Sequence, residues 1–197
     1  MIYIVSLPLE EMRKYTPTTM PQPTDQQLSD FYVRLGMAMA AWQFIESVLV
    51  YLFSRALGSS ATDPVAAAFH TPTNFRTRLD MTNEAMKRSL ATPDLRTEWS
   101  KLYDRAVEKG KRRNRLAHSV VFFDPQHKKA NRQLFISPSF GDPTRFDSKF
   151  SPKAIITQSQ LDDMINMFNQ LYDDLAGFHV KLLHLPPPST SSPRPEA

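Results

Sequence analysis

The sequence has no cysteine among its 197 residues. This absence excludes disulfide-stapled folds, thiolate nucleophiles and cysteine-ligated zinc or iron–sulfur centres. Five glycines are too few for most glycine-rich nucleotide-binding loops, and no histidine pair has metal-site spacing. A run of about 18 apolar residues and a signal-peptide pattern are absent too. We therefore expect a cytoplasmic protein with no membrane contact, no metal and no other cofactor.

Proline, by contrast, is abundant, and its sixteen copies divide the chain. A proline inside a helix deletes a backbone donor and clashes with the preceding turn, so long proline-free stretches are helix candidates. Four such stretches occur, and their apolar residues recur three and four positions apart: 24–63, 73–92, 94–124 and 153–185. This pattern predicts an all-α fold, a four-helix bundle over 24–184. An extended N-terminal arm over 1–23 and a disordered Pro/Ser-rich tail over 185–197 should flank it.

Two short β-prone runs lie between the third and fourth helical stretches. They are Val120–Phe123 and Leu134–Ile136, separated by Asp124, Pro125 and a polar connector. Short runs of β-branched and aromatic residues bounded by such turn residues are typical of a hairpin. The sequence therefore predicts a small β-hairpin insertion in the bundle.

The basic charge of the chain is concentrated in one segment. Lysine and arginine exceed aspartate and glutamate by four over the whole chain (24 against 20). Seven basic residues oppose Asp104 and Glu108 between positions 101 and 115: Lys101, Arg105, Lys109, Lys111, Arg112, Arg113 and Arg115. Two interpretations stay open, a solvated helix end paired with the acidic last helix or a phosphate-binding surface. In the second, Lys109, Lys111, Arg112 and Arg115 bind RNA.

The end of this basic segment carries the residues best suited to chemistry. Arg113 and Asn114 are followed by His118. On an ideal helix Asn114 and His118 share a face, whereas Arg113 lies about 140° round from His118. Either the long arginine stem bends back, or a second copy across a two-fold axis supplies the missing group. The second option makes a homodimer part of the site.

The string Arg113-Asn114-x-x-x-His118 resembles the motif of the HEPN superfamily, an arginine and a polar residue followed after three others by a histidine. The layout of residues 24–184 is similar to that of small prokaryotic HEPN proteins, including a long first helix with Trp42 and Glu46 and an amphipathic last helix. The resemblance implies a homodimer with both motifs in one cleft and metal-independent RNA cleavage. The resemblance also suggests a toxin or phage-defence effector, with a protein antitoxin as a further partner.

The chemistry implied by the resemblance suits these side chains. A histidine can take the proton of a ribose 2′-hydroxyl or return one to the leaving oxygen near neutral pH. Arg113 would hold the scissile phosphate and stabilise its charge, and Asn114 would orient the imidazole or donate to phosphate. His118 and Arg113 are thus the expected catalytic residues, assisted by Asn114.

Glu46 is the remaining candidate, because it interrupts the apolar face of the first helix between Trp42 and Leu49. A buried carboxylate needs a partner. We expect Glu46 to support the site by pairing with Arg113, or otherwise with His118. Alternatively, Glu46 lies at the edge of the apolar stripe and faces water.

Two other functions remain open on the sequence alone. The first is a non-catalytic module of the same fold that binds nucleotide, RNA or a protein partner. The second is a helical adaptor whose basic helix docks on an acidic protein surface. Proteins that share a fold often differ in function, so the motif by itself does not choose among the three.

Overall fold

The computed structural model describes residues 22–59, 63–123, 133–138 and 156–186. These residues are mostly helical and include five helices and one small sheet. The helices are α1 (Asp25–Ala56), α2 (Asp63–His70), α3 (Phe75–Ser89), α4 (Pro93–Ala117) and α5 (Gln158–Leu183). The strands are β1 (Ser119–Phe123), β2 (Leu134–Pro138) and β3 (Ile156–Thr157). The all-α prediction is confirmed at this level, and each of the four proline-free stretches corresponds to one of the longer helices, although α4 begins one residue earlier, at Pro93.

Local sequence signals explain where the helices begin and end. Helix α1 ends in a Schellman motif: Gly58 adopts φ 67°, and the Ser59 N–H donates to the Ser54 carbonyl at 3.0 Å. Asn74 caps α3 by accepting from the Thr77 N–H at 2.8 Å. Pro93 occupies the first turn of α4, where its missing N–H costs nothing.

The sequence did not predict helix α2. The end of the first proline-free stretch predicts a helix boundary at Pro64, whereas Pro64 stands at the second position of this eight-residue helix. The first turn of a helix leaves its N–H groups without intrahelical partners, so proline fits there. The described residues therefore contain five helices, one more than the predicted four-helix bundle.

The predicted hairpin is present, with one additional strand. Strands β1 and β2 pair antiparallel, with Val121 opposite Ile136 and Phe123 opposite Leu134. The two-residue strand β3 adds to β2, giving the order β1-β2-β3. The connector between β1 and β2, the N-terminal arm over 1–21 and the tail from 187 lie outside the described residues.

The chain divides into two compact units. The first consists of Met1–Met39 with Arg113–Asn166, the second of Ala40–Arg112 with Met167–Ala197. Helices α1, α4 and α5 each contribute residues to both. The first unit buries Phe31, Leu161 and Ile136.

Two tryptophans organise the core of the second unit, as their helical phases predict. The Trp42 ring packs edge-on against Phe75 (4.6 Å between ring centroids) and Phe168 (5.1 Å). Trp99 stacks on Phe178 at 5.8 Å, and its indole N–H donates to the buried Asn83 at 3.0 Å. Satisfying the indole N–H allows these large rings to be buried without an unpaired donor.

Helix α1 is long and apolar enough to cross a bilayer by length and composition alone. Its most apolar window has a mean hydropathy of 1.4, and half of that window is buried within the protein. A core helix of a soluble protein meets the same criterion, so this is weak evidence for a membrane span. The absence of membrane contact and the cytoplasmic location stay predictions.

Candidate functional site

Helix α4 carries most of the predicted site residues, and its burial pattern determines which way they face. Leu102, Ala106, Gly110 and Leu116 form its buried stripe. Arg113 lies three residues after Gly110 and three before Leu116, so it continues this stripe and is half-buried. The guanidinium stem therefore starts on the inner side of the helix.

Asn114 and His118 are exposed at the end of the same helix. The His118 N–H donates to the Asn114 carbonyl at 3.1 Å, which is the last turn of helical hydrogen bonding. These two side chains are consequently one turn apart on one side of the helix. Arg113 Nη1 lies 3.4 Å from Asn114 Oδ1 and donates a long hydrogen bond to it, so the guanidinium lies beside the amide oxygen. The arrangement presents an imidazole and a carboxamide to solvent next to an anchored cation.

Part of the basic segment is paired with acidic side chains of the chain itself. Arg105 contacts Asp174 of α5 at 2.6 Å, as the intramolecular interpretation expects. Arg112 and Lys109 both contact Glu108, at 3.1 and 3.2 Å. The hydrogen bond from Lys109 holds the pKa of the Glu108 carboxyl below its usual range, with the nearby charges of Lys109 and Arg112 adding to it. The Arg112 pair is exposed and contributes little stability, so a phosphate can replace the carboxylate there, whereas the Lys109 side chain is only 17% exposed.

Lys111 and Arg115 complete the predicted RNA-binding set. Both are exposed on α4. The Lys111 side chain makes no hydrogen bond or ion pair within the four described ranges and is accessible to a ligand. The Arg115 carbonyl accepts from the Ser119 hydroxyl.

Glu46 is buried, as predicted, and it has partners. Its Oε1 accepts from the Trp42 indole N–H at 2.8 Å, and its Oε2 lies 2.6 Å from Arg78 Nη2. Side-chain exposure is only 9% for Glu46 and 13% for Arg78, so the ion pair is shielded from water. The alternative position facing water is wrong. Pairing of Glu46 with Arg113 stays a prediction.

Sequence reasoning missed Arg78. This arginine also lies with its guanidinium carbon 5.8 Å from the Phe69 ring centroid, and its Nε is buried without a hydrogen-bond partner among the described residues. A signal was present: Arg78 stands three residues after Phe75 and four before Thr82, both buried. A cation in that phase of a helix requires a buried acid, and Glu46 was the only such acid in the apolar stripe of α1.

The described residues contain no group of three histidines, aspartates or glutamates that would hold a metal ion. Comparison of the chain with models of protein families, with curated proteins and with solved structures found no match. The function must therefore be argued from the residues of this chain.

Proposed function

We propose that this protein is a HEPN-like, metal-independent endoribonuclease that acts as a homodimer. Arg113 and His118 are its catalytic residues, assisted by Asn114, and Lys109, Lys111, Arg112 and Arg115 guide RNA to them. The four longer helices and the inserted β-strands are compatible with a HEPN bundle. A toxin or phage-defence role, with a protein antitoxin, belongs to the same proposal.

One observation carries the proposal: the end of α4 presents an exposed imidazole next to an arginine held by a carboxamide. A residue kept only for packing would not leave the His118 ring in solvent. A guanidinium already oriented by Asn114 loses less conformational freedom when it binds a phosphate.

These groups suffice for RNA cleavage by the neighbouring 2′-hydroxyl. His118 takes the 2′-hydroxyl proton, the bond from that oxygen to phosphorus forms, and the bond from phosphorus to the 5′-oxygen breaks. The 5′-oxygen takes up a proton from a second, protonated histidine. Arg113 stabilises the negative charge that accumulates on the phosphate oxygens. The products are a 2′,3′-cyclic phosphate and a 5′-hydroxyl.

Helical geometry is the reason for including a dimer in the proposal. The Arg113 stem leaves α4 on its buried side and His118 leaves it on the exposed side, so a second copy is proposed to complete the contacts around one phosphorus atom. Two copies supply two histidines, one as base and one as acid, and two arginines.

The experiment is cleavage of a labelled RNA in EDTA by the wild-type protein and by His118→Ala. We expect His118→Ala to lose at least about a hundredfold in rate, the usual effect of removing a general base. His184→Ala is the matched control, because His184 is also exposed just after the end of a helix, and it should cleave normally. An RNA with one 2′-deoxy sugar at the cleavage position should stay intact.

Undiminished cleavage by His118→Ala contradicts the assignment. If the wild-type protein binds RNA but cuts none under any condition, the result supports the non-catalytic module of the same fold. Absence of salt-dependent RNA binding supports the helical adaptor.

A further inference from the structure

The exposed side of α1 in the second unit is a narrow seam. Ala40, Phe44, Ser47 and Tyr51 are exposed, four, three and four positions apart. Trp42, Ile45 and Leu49 beside them are buried, and the uncharged Gln43 is exposed next to Phe44. Alternation of three and four residues is the spacing with which one helix receives the side chains of another.

This seam carries no charge. Between Arg34 and Arg55 the only charged residue of α1 is Glu46, which is buried and paired with Arg78. An exposed helix face normally bears lysine, arginine or glutamate. Some 20 residues without an exposed charge are typical of a face that another surface covers.

Helix α5 widens the seam with further apolar and aromatic side chains. The Phe44 ring lies 5.7 Å from Tyr172 and the Tyr51 ring 5.8 Å from His179, centroid to centroid. Phe44 is 56% exposed and Tyr51 51%, and on α5 Val180 and Leu183 are exposed to similar extents. These four side chains expose on the order of 350 Å² per copy, since aromatic rings carry roughly 200 Å² each.

That area matches what a modest dimer needs. Two copies would bury on the order of 700 Å² of large apolar side chains, and about two thirds of an interface core is apolar. The whole interface would thus exceed the ~1,000 Å² that a specific association requires.

The order of side-chain sizes identifies the occupant. Along the chain the seam runs small, large, small, large, from Ala40 to Tyr51. A reversed copy of this order places every large side chain opposite a small one: Tyr51 against Ala40, and Phe44 against Ser47. A parallel copy would instead set ring against ring and leave gaps between the small residues. We infer that a second copy of this chain packs antiparallel on this seam, with the two-fold axis level with Ile45 and Glu46.

This inference rests on the proposed function in one respect, because it assigns an interface to the proposed homodimer, although the seam contains no residue of the motif. His118→Ala should lose cleavage and remain a dimer, whereas Phe44→Glu should be monomeric. A dimer on the α1 seam in a protein that cuts no RNA would overturn the proposed function and leave this inference intact. The two experiments therefore fail separately.

The first measurement is molar mass by light scattering over a concentration series. The wild-type protein should approach about 45 kDa, twice the mass of the 22.6 kDa chain. Phe44→Glu should remain near 22.6 kDa with unchanged helical circular dichroism, since Phe44 is largely exposed and its replacement leaves the core intact. Leu57→Glu is the matched control: Leu57 is equally exposed but lies beyond the end of α1, and this variant should dimerise.

The second measurement tests the antiparallel register and exploits the absence of native cysteine. The double variant Ala40→Cys with Tyr51→Cys should form a covalent dimer on mild oxidation. The two positions are about 16 Å apart along one helix, too far for a bridge within one chain. Ala40→Cys alone should not cross-link to itself.

Three results would overturn the inference. A wild-type protein that stays monomeric at every concentration contradicts the dimer. A Phe44→Glu variant that still dimerises shows that the seam is not the dimer interface. Cross-linking of Ala40→Cys alone removes the antiparallel arrangement. Flotation of a monomeric wild-type protein with phosphatidylcholine vesicles, lost in Phe44→Glu, would assign the same surface to lipid instead.

Discussion

At the scale of single residues, the second unit contains a buried ion pair between Glu46 and Arg78. The carboxylate accepts from Arg78 at 2.6 Å and from the Trp42 indole at 2.8 Å. A buried ion pair adds little net stability compared with apolar residues of the same size, but the loss of one partner leaves the other charge in the protein interior. Loss of one partner should therefore lower the stability more than replacement of both.

Glu46→Ala should lower the free energy of unfolding by about 3–5 kcal/mol, because it strands the Arg78 guanidinium and leaves the Trp42 N–H without its acceptor. Urea denaturation followed by tryptophan fluorescence measures the change. The double variant Glu46→Gln with Arg78→Met retains an acceptor for Trp42 and removes both charges, so it should recover most of the loss. Equal destabilisation in the two proteins would show that charge pairing is not the cause.

At the scale of helices, α4 comes close to the Phe75 and Trp42 rings at Gly110. A Cβ atom there would lie 3.1 Å from Phe75 Cε1 and 3.6 Å from Trp42 Cη2, and both rings are buried. The glycine sits in the middle of a helix, where it costs about 1 kcal/mol relative to alanine. Close packing against two aromatic rings is the reason for it.

Gly110→Leu should destabilise the protein by about 1–3 kcal/mol through overpacking. Gly177→Ala is the matched comparison, since Gly177 also lies inside a helix but has open space above it. That change should stabilise by about 0.5–1 kcal/mol. Thermal unfolding of the two variants beside the wild type checks both signs, and a stabilising Gly110→Leu would refute the packing explanation.

At the scale of the whole molecule, the distribution of charge matters more than the net charge of +4. Acidic side chains of the same chain contact Arg105, Arg112 and Lys109. Lys111 and Arg115 are exposed on the same helix. Under the proposed function these two should contribute directly to phosphate contacts.

Substitution of both Lys111 and Arg115 by alanine should weaken RNA binding and flatten its salt dependence. Each phosphate contact with a single strand adds about 0.7 to the slope of log K against log salt, so the slope should fall by about 1.4. Filter binding over a salt series measures it. Lys87→Ala is the control, because Lys87 pairs with Glu84 on α3, and its slope should equal that of the wild type. An unchanged slope in the double variant would remove these residues from the interface.

Local sequence signals determined the helices, the hairpin and the burial of Trp42 and Trp99. Proline and glycine positions, caps and apolar spacing act within a few residues, so they can be interpreted without the fold. The placement of Asn114 and His118 on one side of α4 is predictable for the same reason. Pro64 shows the limit, because a proline both ends a helix and begins one.

Only the tertiary structure decided what lies beside what. The pairing of Glu46 with Arg78, the close approach at Gly110 and the exposure of Phe44 and Tyr51 on α1 depend on contacts between elements far apart in sequence. Helical periodicity reports the direction of a side chain relative to its own helix axis. It does not report which neighbouring helix, or which other molecule, that side chain meets.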